Sequence, residues 1–230
     1  MPDSAQTLKH EQRKEARLES APRRARRHLS GELMMLVLVL GGVHAPERSA
    51  GIPAELRELL QSGTVQRAVS VGDLGSQSEV GFVRSISRQL HAVRGESDGA
   101  SALPERETFA VGRLRFGVAP AHSVVPFGDT DAIDATRRAL GVDVLCTSGT
   151  GRRGLVHSGS DGLIVDPGSA SGAPSTATAD CSTAPGFVIL DVHGTTVTCY
   201  SYSLENDDIS VEKSAWQMEE PAHSENAELL

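Results

Sequence analysis

Residues 34–44 read Met34-Met35-Leu36-Val37-Leu38-Val39-Leu40-Gly41-Gly42-Val43-His44. The apolar part has no polar alternation, which suits a strand buried on both faces of a parallel sheet. It is too short to cross a bilayer, which needs roughly 20 apolar residues. The two glycines let the chain turn sharply and bring backbone close to a ligand or partner. His44 then falls at the carboxyl end of the strand, where open α/β sheets bind ligands.

The chain has 230 residues, the size of one domain with ragged ends. Apolar residues make up 39 % and aromatics 3 %, so the core must be built from Val, Leu and Ile. A net charge of -8 argues against nucleic acid as a partner. Cys146, Cys181 and Cys199 show no CxxC spacing, which suits free thiols in a reducing compartment and gives no zinc site. Arg23, Arg24, Arg26 and Arg27 precede the apolar run as they would in a signal peptide. The run starts after Glu32, however, and lacks a small-x-small cleavage site. Asp3, Glu11, Glu15 and Glu19 speak against a mitochondrial presequence. A cytoplasmic protein is expected.

Working outward, residues 1–33 carry mixed charge and few apolar side chains, and are expected to form a disordered basic arm. After His44 the pattern becomes helix, strand, helix, strand. Leu56, Leu59 and Leu60 share one helix face, and Val65–Val71 reads as the second strand. Val80, Val83, Ile86 and Leu90 are assigned to a second helix, and His91–Val93 to a third strand. The loops after these three strands bring His44, Asp73 and Glu96 with Asp98 to one sheet edge. Thr108–Val111 and Arg113–Ala119 form an expected hairpin. A helix over Thr130–Leu140, a strand over Val142–Cys146, a loop over Thr147–Gly151 and a strand over Leu163–Val165 follow. Phe187–Val192, Thr195–Tyr202 and Ile209–Glu212 read as an antiparallel meander. The folded domain is placed at 34–214 and an acidic, disordered tail at 215–230. Two sheets covered by helices give a four-layer α/β/β/α sandwich.

The order of these loops resembles the calcineurin-like metallophosphoesterases. Within them, the chain resembles the small-subunit family of retromer, the coat that retrieves cargo from endosomes. The resemblance is carried by Met35–Gly41, Val93-Arg94-Gly95, Val125-Pro126-Phe127-Gly128-Asp129, Val142–Leu145, Pro167–Ala173, Pro185–Asp191 and Asp207–Glu212, and covers Met35 to Lys213. It implies the metallophosphoesterase sandwich. It also implies a ligand set that has decayed: Gly42, Pro120, Gly149 and Gly151 stand at ligand positions, and Glu96 replaces a shorter residue. Hydrolysis on this fold needs two bridged divalent ions, and glycine and proline side chains coordinate nothing. No enzyme activity is expected, and no cofactor beyond at most one weakly bound divalent metal. The remnant candidates are His44, Asp73, Glu96 and His122. Asp73 is also read as a turn cap, and Glu96 with His122 as a hydrogen-bonded pair.

The resemblance implies two binding faces. Val43, His44, Val124, Val125, Pro126 and Phe127 would dock the large helical-solenoid subunit, vacuolar protein sorting-associated protein 35. Leu36, Leu59, Ile189, Tyr200, Tyr202, Ile209 and Val211 would receive Pro-Leu-type peptides of regulators such as Rab-GTPase-activating proteins. Tyr200 and Tyr202 lie two apart on a strand and face one side, and a tyrosine suits a half-exposed apolar site. The implied function is a non-catalytic scaffold of retromer, peripheral on the endosome membrane. The alternatives are a metal-dependent phosphodiesterase with a rebuilt site, and a scaffold outside retromer that keeps only the peptide face.

Overall fold

A computed structural model of the chain describes residues 34–63, 65–99, 101–159, 161–174 and 184–219. The expected disordered arm, Cys181 and residues 220–230 of the expected tail lie outside the described residues. Eleven strands and three α-helices follow in the order β1 (Met35–Leu40), α1 (Ala54–Gln61), β2 (Val65–Ser70), α2 (Gln77–Ile86), β3 (Ser87–Ala92), β4 (Glu107–Val111), β5 (Leu114–Val118), α3 (Thr130–Leu140), β6 (Val144–Cys146), β7 (Gly154–Ser158), β8 (Leu163–Asp166), β9 (Gly186–His193), β10 (Thr196–Glu205) and β11 (Asp208–Gln217). The first sheet has the order β11-β10-β9-β1-β2-β3 and the second β4-β5-β6-β8-β7.

The opening run is a central strand: β1 pairs parallel with β2 and antiparallel with β9. Its side chains alternate between two cores. Val37 and Val39 join Phe116, Val118, Val144 and Cys146 in the core between the sheets. Leu36, Leu38 and Leu40 join Leu56, Leu60 and Val83 beneath α1 and α2. Ile133 of α3 covers the far face of the second sheet with Val142, Leu145 and Ile164. These three apolar layers make the four-layer sandwich.

Three boundaries differ from expectation. Leu90 lies in β3, not on the second helix. The helical spacing from Ile86 is real, but α2 ends at extended Ser87 and Leu90 aligns with Ala68 of β2. The ladder beside β2 outweighs local periodicity. Strand β7 was not read as a strand; it pairs with β8, which supplies the partner that its own mixed sequence does not announce. The last strand passes the expected boundary at 214. Trp216 is buried, and its indole N–H donates to Gly159 O at 2.7 Å.

Helix ends follow their local chemistry. The Asp129 carboxylate accepts the Ala132 N–H at the start of α3, and Gly141 closes that helix in the left-handed region. The loops that matter for function all leave the carboxyl ends of β1, β2, β3, β5, β6 and β8.

Candidate functional site: a loop cluster and two surfaces

Those loops meet around a cavity of about 440 Å³, which His44, Asp73, Glu96 and His122 line together with Gly42, Pro120, Gly149 and Gly151. The tertiary structure thus gathers every position that sequence reading assigned to the ancestral ligand set. What they do there differs. His44 has φ 55° and Asp73 φ 56°, the left-handed region that non-glycine residues rarely adopt. Both Val43 N–H and His44 N–H donate to Asp73 O at 2.9 Å, which fastens the first loop to the second.

The Asp73 carboxylate was expected to cap the next turn, but it bonds a different loop. Its Oδ1 accepts the Ser97 N–H at 2.6 Å, from the loop after β3. Asp98 answers in reverse, its Oδ2 accepting the N–H groups of Asp73 at 2.9 Å and Gly95 at 2.7 Å. These two carboxylates zip adjacent loops together. Glu96 is exposed and makes no hydrogen bond to His122, which is also exposed. The expected pair does not form.

The donor set does not suit a divalent metal. The imidazole of His44 stands where a side chain on residue 42 would project, and its Nδ1 is buried without a hydrogen-bond partner. Asp73 already accepts a backbone N–H. Among the described residues, no three His, Cys, Asp or Glu side chains converge in a way that could hold an ion. The described residues do not fit a two-metal centre.

A further carboxylate was missed by sequence reading, which took Asp166-Pro167-Gly168 only as a turn. Asp166 is buried; its Oδ2 accepts the Thr150 N–H at 2.9 Å and hydroxyl at 2.7 Å, and its Oδ1 the Gly168 N–H at 2.8 Å. Burial raises its carboxyl pKa above the ordinary value, against the pull of those donors and of Arg153. Arg153 donates to the carbonyls of Pro167, Ser169 and Ala184 and to the Ser203 hydroxyl. Burial lowers its pKa, opposed by Asp166 and Glu205. Together they staple the loop after β6 to the loop after β8.

The docking residues divide. Val43 and Val124 are 0 % and 3 % exposed and belong to the core, so neither presents a surface. Val125 is 85 % exposed and Phe127 44 %, with exposed Pro126 between them. The Phe127 ring lies against Gly149, whose φ of 83° and missing side chain make room for it. The peptide-face residues divide too. Leu36 and Tyr202 are buried, and Tyr202 stacks on Phe187 at 4.7 Å with its phenol pushed up to about 12 by burial. Leu59, Ile189, Tyr200, Ile209 and Val211 are half-buried around them. Cys146 and Cys199 are buried free thiols whose pKa burial raises.

A two-sheet sandwich with this loop cluster at its carboxyl edge has the metallophosphoesterase-type fold. No family model matches the chain. It is 31 % identical over 189 residues to vacuolar protein sorting-associated protein 29 of Schizosaccharomyces pombe, covering 81 % of this chain and all of that protein. Vps29 of Entamoeba histolytica, solved with zinc, superposes at a TM-score of 0.72 with 32 % identity, over 79 % of this chain and 99 % of the other. Vps29 of Chaetomium thermophilum, solved with a cyclic peptide, gives 0.69 with 30 % identity, over 81 % and 98 %. The chain belongs to the vacuolar protein sorting-associated protein 29 family.

Proposed function

We propose that this chain is the small, non-catalytic scaffold subunit of a retromer-type coat, acting in endosomal protein sorting. The observation that carries this reading is the pairing of an exposed apolar tip, Val125 with Phe127, and a neighbouring cavity whose remaining acidic and imidazole groups do not form a metal set. An exposed valine and phenylalanine side by side are costly in water and suit an interface anchor. The partner is the large helical-solenoid subunit related to vacuolar protein sorting-associated protein 35. The half-buried row Leu59, Ile189, Tyr200, Ile209 and Val211 receives short apolar peptides of regulators. The cyclic-peptide complex of the Chaetomium thermophilum relative supports a peptide-binding role for the family. Association with endosomes is then indirect, through the assembled coat. Among the described residues no helix is long and apolar enough to cross a membrane.

Co-expression with the large subunit tests the reading. The wild-type chain should co-purify with it and Val125→Asp should not; a complex that survives this change means the docking face is elsewhere. Calorimetric titration with manganese and zinc tests the absence of catalysis. Tight binding of two ions, with hydrolysis of an aryl phosphodiester abolished by Asp73→Ala, would overturn the scaffold reading. It would favour a metal-dependent phosphodiesterase with a rebuilt site. The zinc complex of the Entamoeba histolytica relative makes this control necessary.

A further inference from the structure

Side chains from three strands form one chain of contacts where β3, at the edge of the first sheet, meets β4, at the edge of the second. Arg67 of β2 has its Nη1 3.0 Å from His91 Nε2, and His91 Nδ1 is 2.6 Å from Glu107 Oε1. The His91 ring lies flat on Phe109 of β4, with centroids 3.7 Å apart and planes 8° apart. Phe109 stacks in turn on Phe116 of β5. The His91 and Glu107 side chains are 14 % and 30 % exposed, and Arg67 is half-buried.

What each group can donate or accept fixes the protons. A guanidinium only donates, so His91 Nε2 accepts from Arg67. The one ring proton then sits on Nδ1 and goes to the Glu107 carboxylate. His91 is therefore neutral in this arrangement. A second proton could go only to Nε2. It would set one N–H against another and bring two cations to hydrogen-bond distance. The bond to Glu107 would strengthen, because both of its partners would then be charged. The stack on Phe109 and the bond to Glu107 hold the ring in place, so the conflict falls on Arg67.

Among the described residues little else holds the Arg67 guanidinium. Its Nε is buried without a hydrogen-bond partner, and its other contact is with the Phe109 ring, 5.5 Å from the centroid. The neighbouring charges do not take the place of His91. Arg94 is paired with Glu105 at 2.8 Å. Arg88 is three positions from His91 on β3 and so points to the other face of the sheet. Gln89, beside Arg67 in the ladder, carries no charge.

We propose that His91 is a proton-operated switch: neutral, it bridges Arg67 to Glu107 across the two sheets; protonated, it keeps Glu107 and releases Arg67. Acidification then uncouples β2 from β4 and turns the Arg67 guanidinium toward solvent.

Nitrogen-edited NMR of the histidine and arginine side chains in the full chain tests it. At about pH 8 the His91 ring should carry its proton on Nδ1, the tautomer that free imidazoles disfavour, and the Arg67 Nε–H should exchange slowly with water. On titration to about pH 5, across the range in which imidazoles change charge, His91 should gain a proton on Nε2. With the same midpoint, the Arg67 Nε–H should exchange about tenfold faster. Arg57, bonded to Glu79 elsewhere, is the control and should not follow that midpoint. His91→Gln still offers Arg67 an acceptor and Glu107 a donor but cannot take the proton, so its Arg67 signal should stay constant across the range. A ring proton on Nε2 at about pH 8, or an Arg67 signal that ignores the His91 titration, would overturn the proposal. So would the same acid response of Arg67 in His91→Gln. If that variant does not fold, the tautomer and the shared midpoint in the wild-type chain decide the matter.

Discussion

His44 stands over Gly42: its imidazole fills the space into which a side chain on residue 42 would project. Residue 42 is one that the resemblance to metal-dependent phosphoesterases placed among the ligands, and here it has no side chain while the His44 ring takes that space. Its left-handed backbone is held by the Asp73 carbonyl. The loop thereby becomes a fixed rim beside the Val125–Phe127 tip.

Gly42→Asp therefore should not restore a metal centre. The new carboxylate must displace the His44 ring from a closely packed corner, at about 1–3 kcal/mol. Urea unfolding should show this loss, and manganese titration should show no gain of two-ion binding.

Val124 and Val125 are adjacent and should behave oppositely. Val124→Asp puts a charge into the core beneath α3 and should unfold the domain or cost more than about 3 kcal/mol. Val125→Asp should change stability by less than about 0.5 kcal/mol, since its side chain already lies in water. Thermal unfolding of both variants separates a lost interface from a lost fold.

Asp166 sets a pH dependence whose sign follows from its raised pKa. The folded state holds this proton more tightly than the unfolded chain. Its contribution is therefore fully present below the ordinary carboxylate pKa of about 4 and is lost as pH rises through the raised folded value. Asp166→Asn should abolish that slope in denaturant unfolding measured across the acid range. It should also cost about 1–3 kcal/mol near neutrality, because the Thr150 N–H then faces an amide N–H.

Arg137 ties α3 to the β7–β8 hairpin. It is 4 % exposed and donates to the Asp134 carboxylate at 2.7 Å, to Asp161 Oδ2 at 2.9 Å and to the carbonyls of Val142 and Asp161 at 3.1 Å. Arg137→Ala should cost about 3 kcal/mol, since it leaves those acceptors without a donor. Gly162→Ala should be destabilising too, because a methyl there meets the Arg137 guanidinium. Both effects can be read from urea midpoints. The double variant should cost less than the sum of the two if they share this one contact.

The main lines of the fold were legible because each carries a local signal. The unbroken Met35–Leu40 run announces a strand buried on both sides. Leu56, Leu59 and Leu60 mark one helix face, and Asp129 with Gly141 brackets α3. Leu90 was misplaced because a helical interval and a strand position look alike in one dimension, and only the ladder to β2 separates them. The stretch that forms β7 escaped for the same reason: its pairing partner is β8, and its own residues carry no period. The site was legible as a list of loop residues and illegible as an arrangement. Nothing local distinguishes Val124 from Val125, or Tyr202 from Tyr200, although one of each pair is buried and the other is not.

The sequence by itself determined the class of fold and the order in which His44, Asp73, Glu96 and His122 reach one edge, since hydrophobic period and turn chemistry are properties of neighbours along the chain. It also determined that glycines and a proline stand where the resemblance places ligands. Only the tertiary structure decided what took their place. The His44 ring fills the space beside Gly42, Asp73 and Asp98 bond the backbone of each other's loops, and Asp166 with Arg153 staples two loops far apart in sequence. Those outcomes depend on contacts between segments brought together by the core, and on which side chains the packing leaves in water.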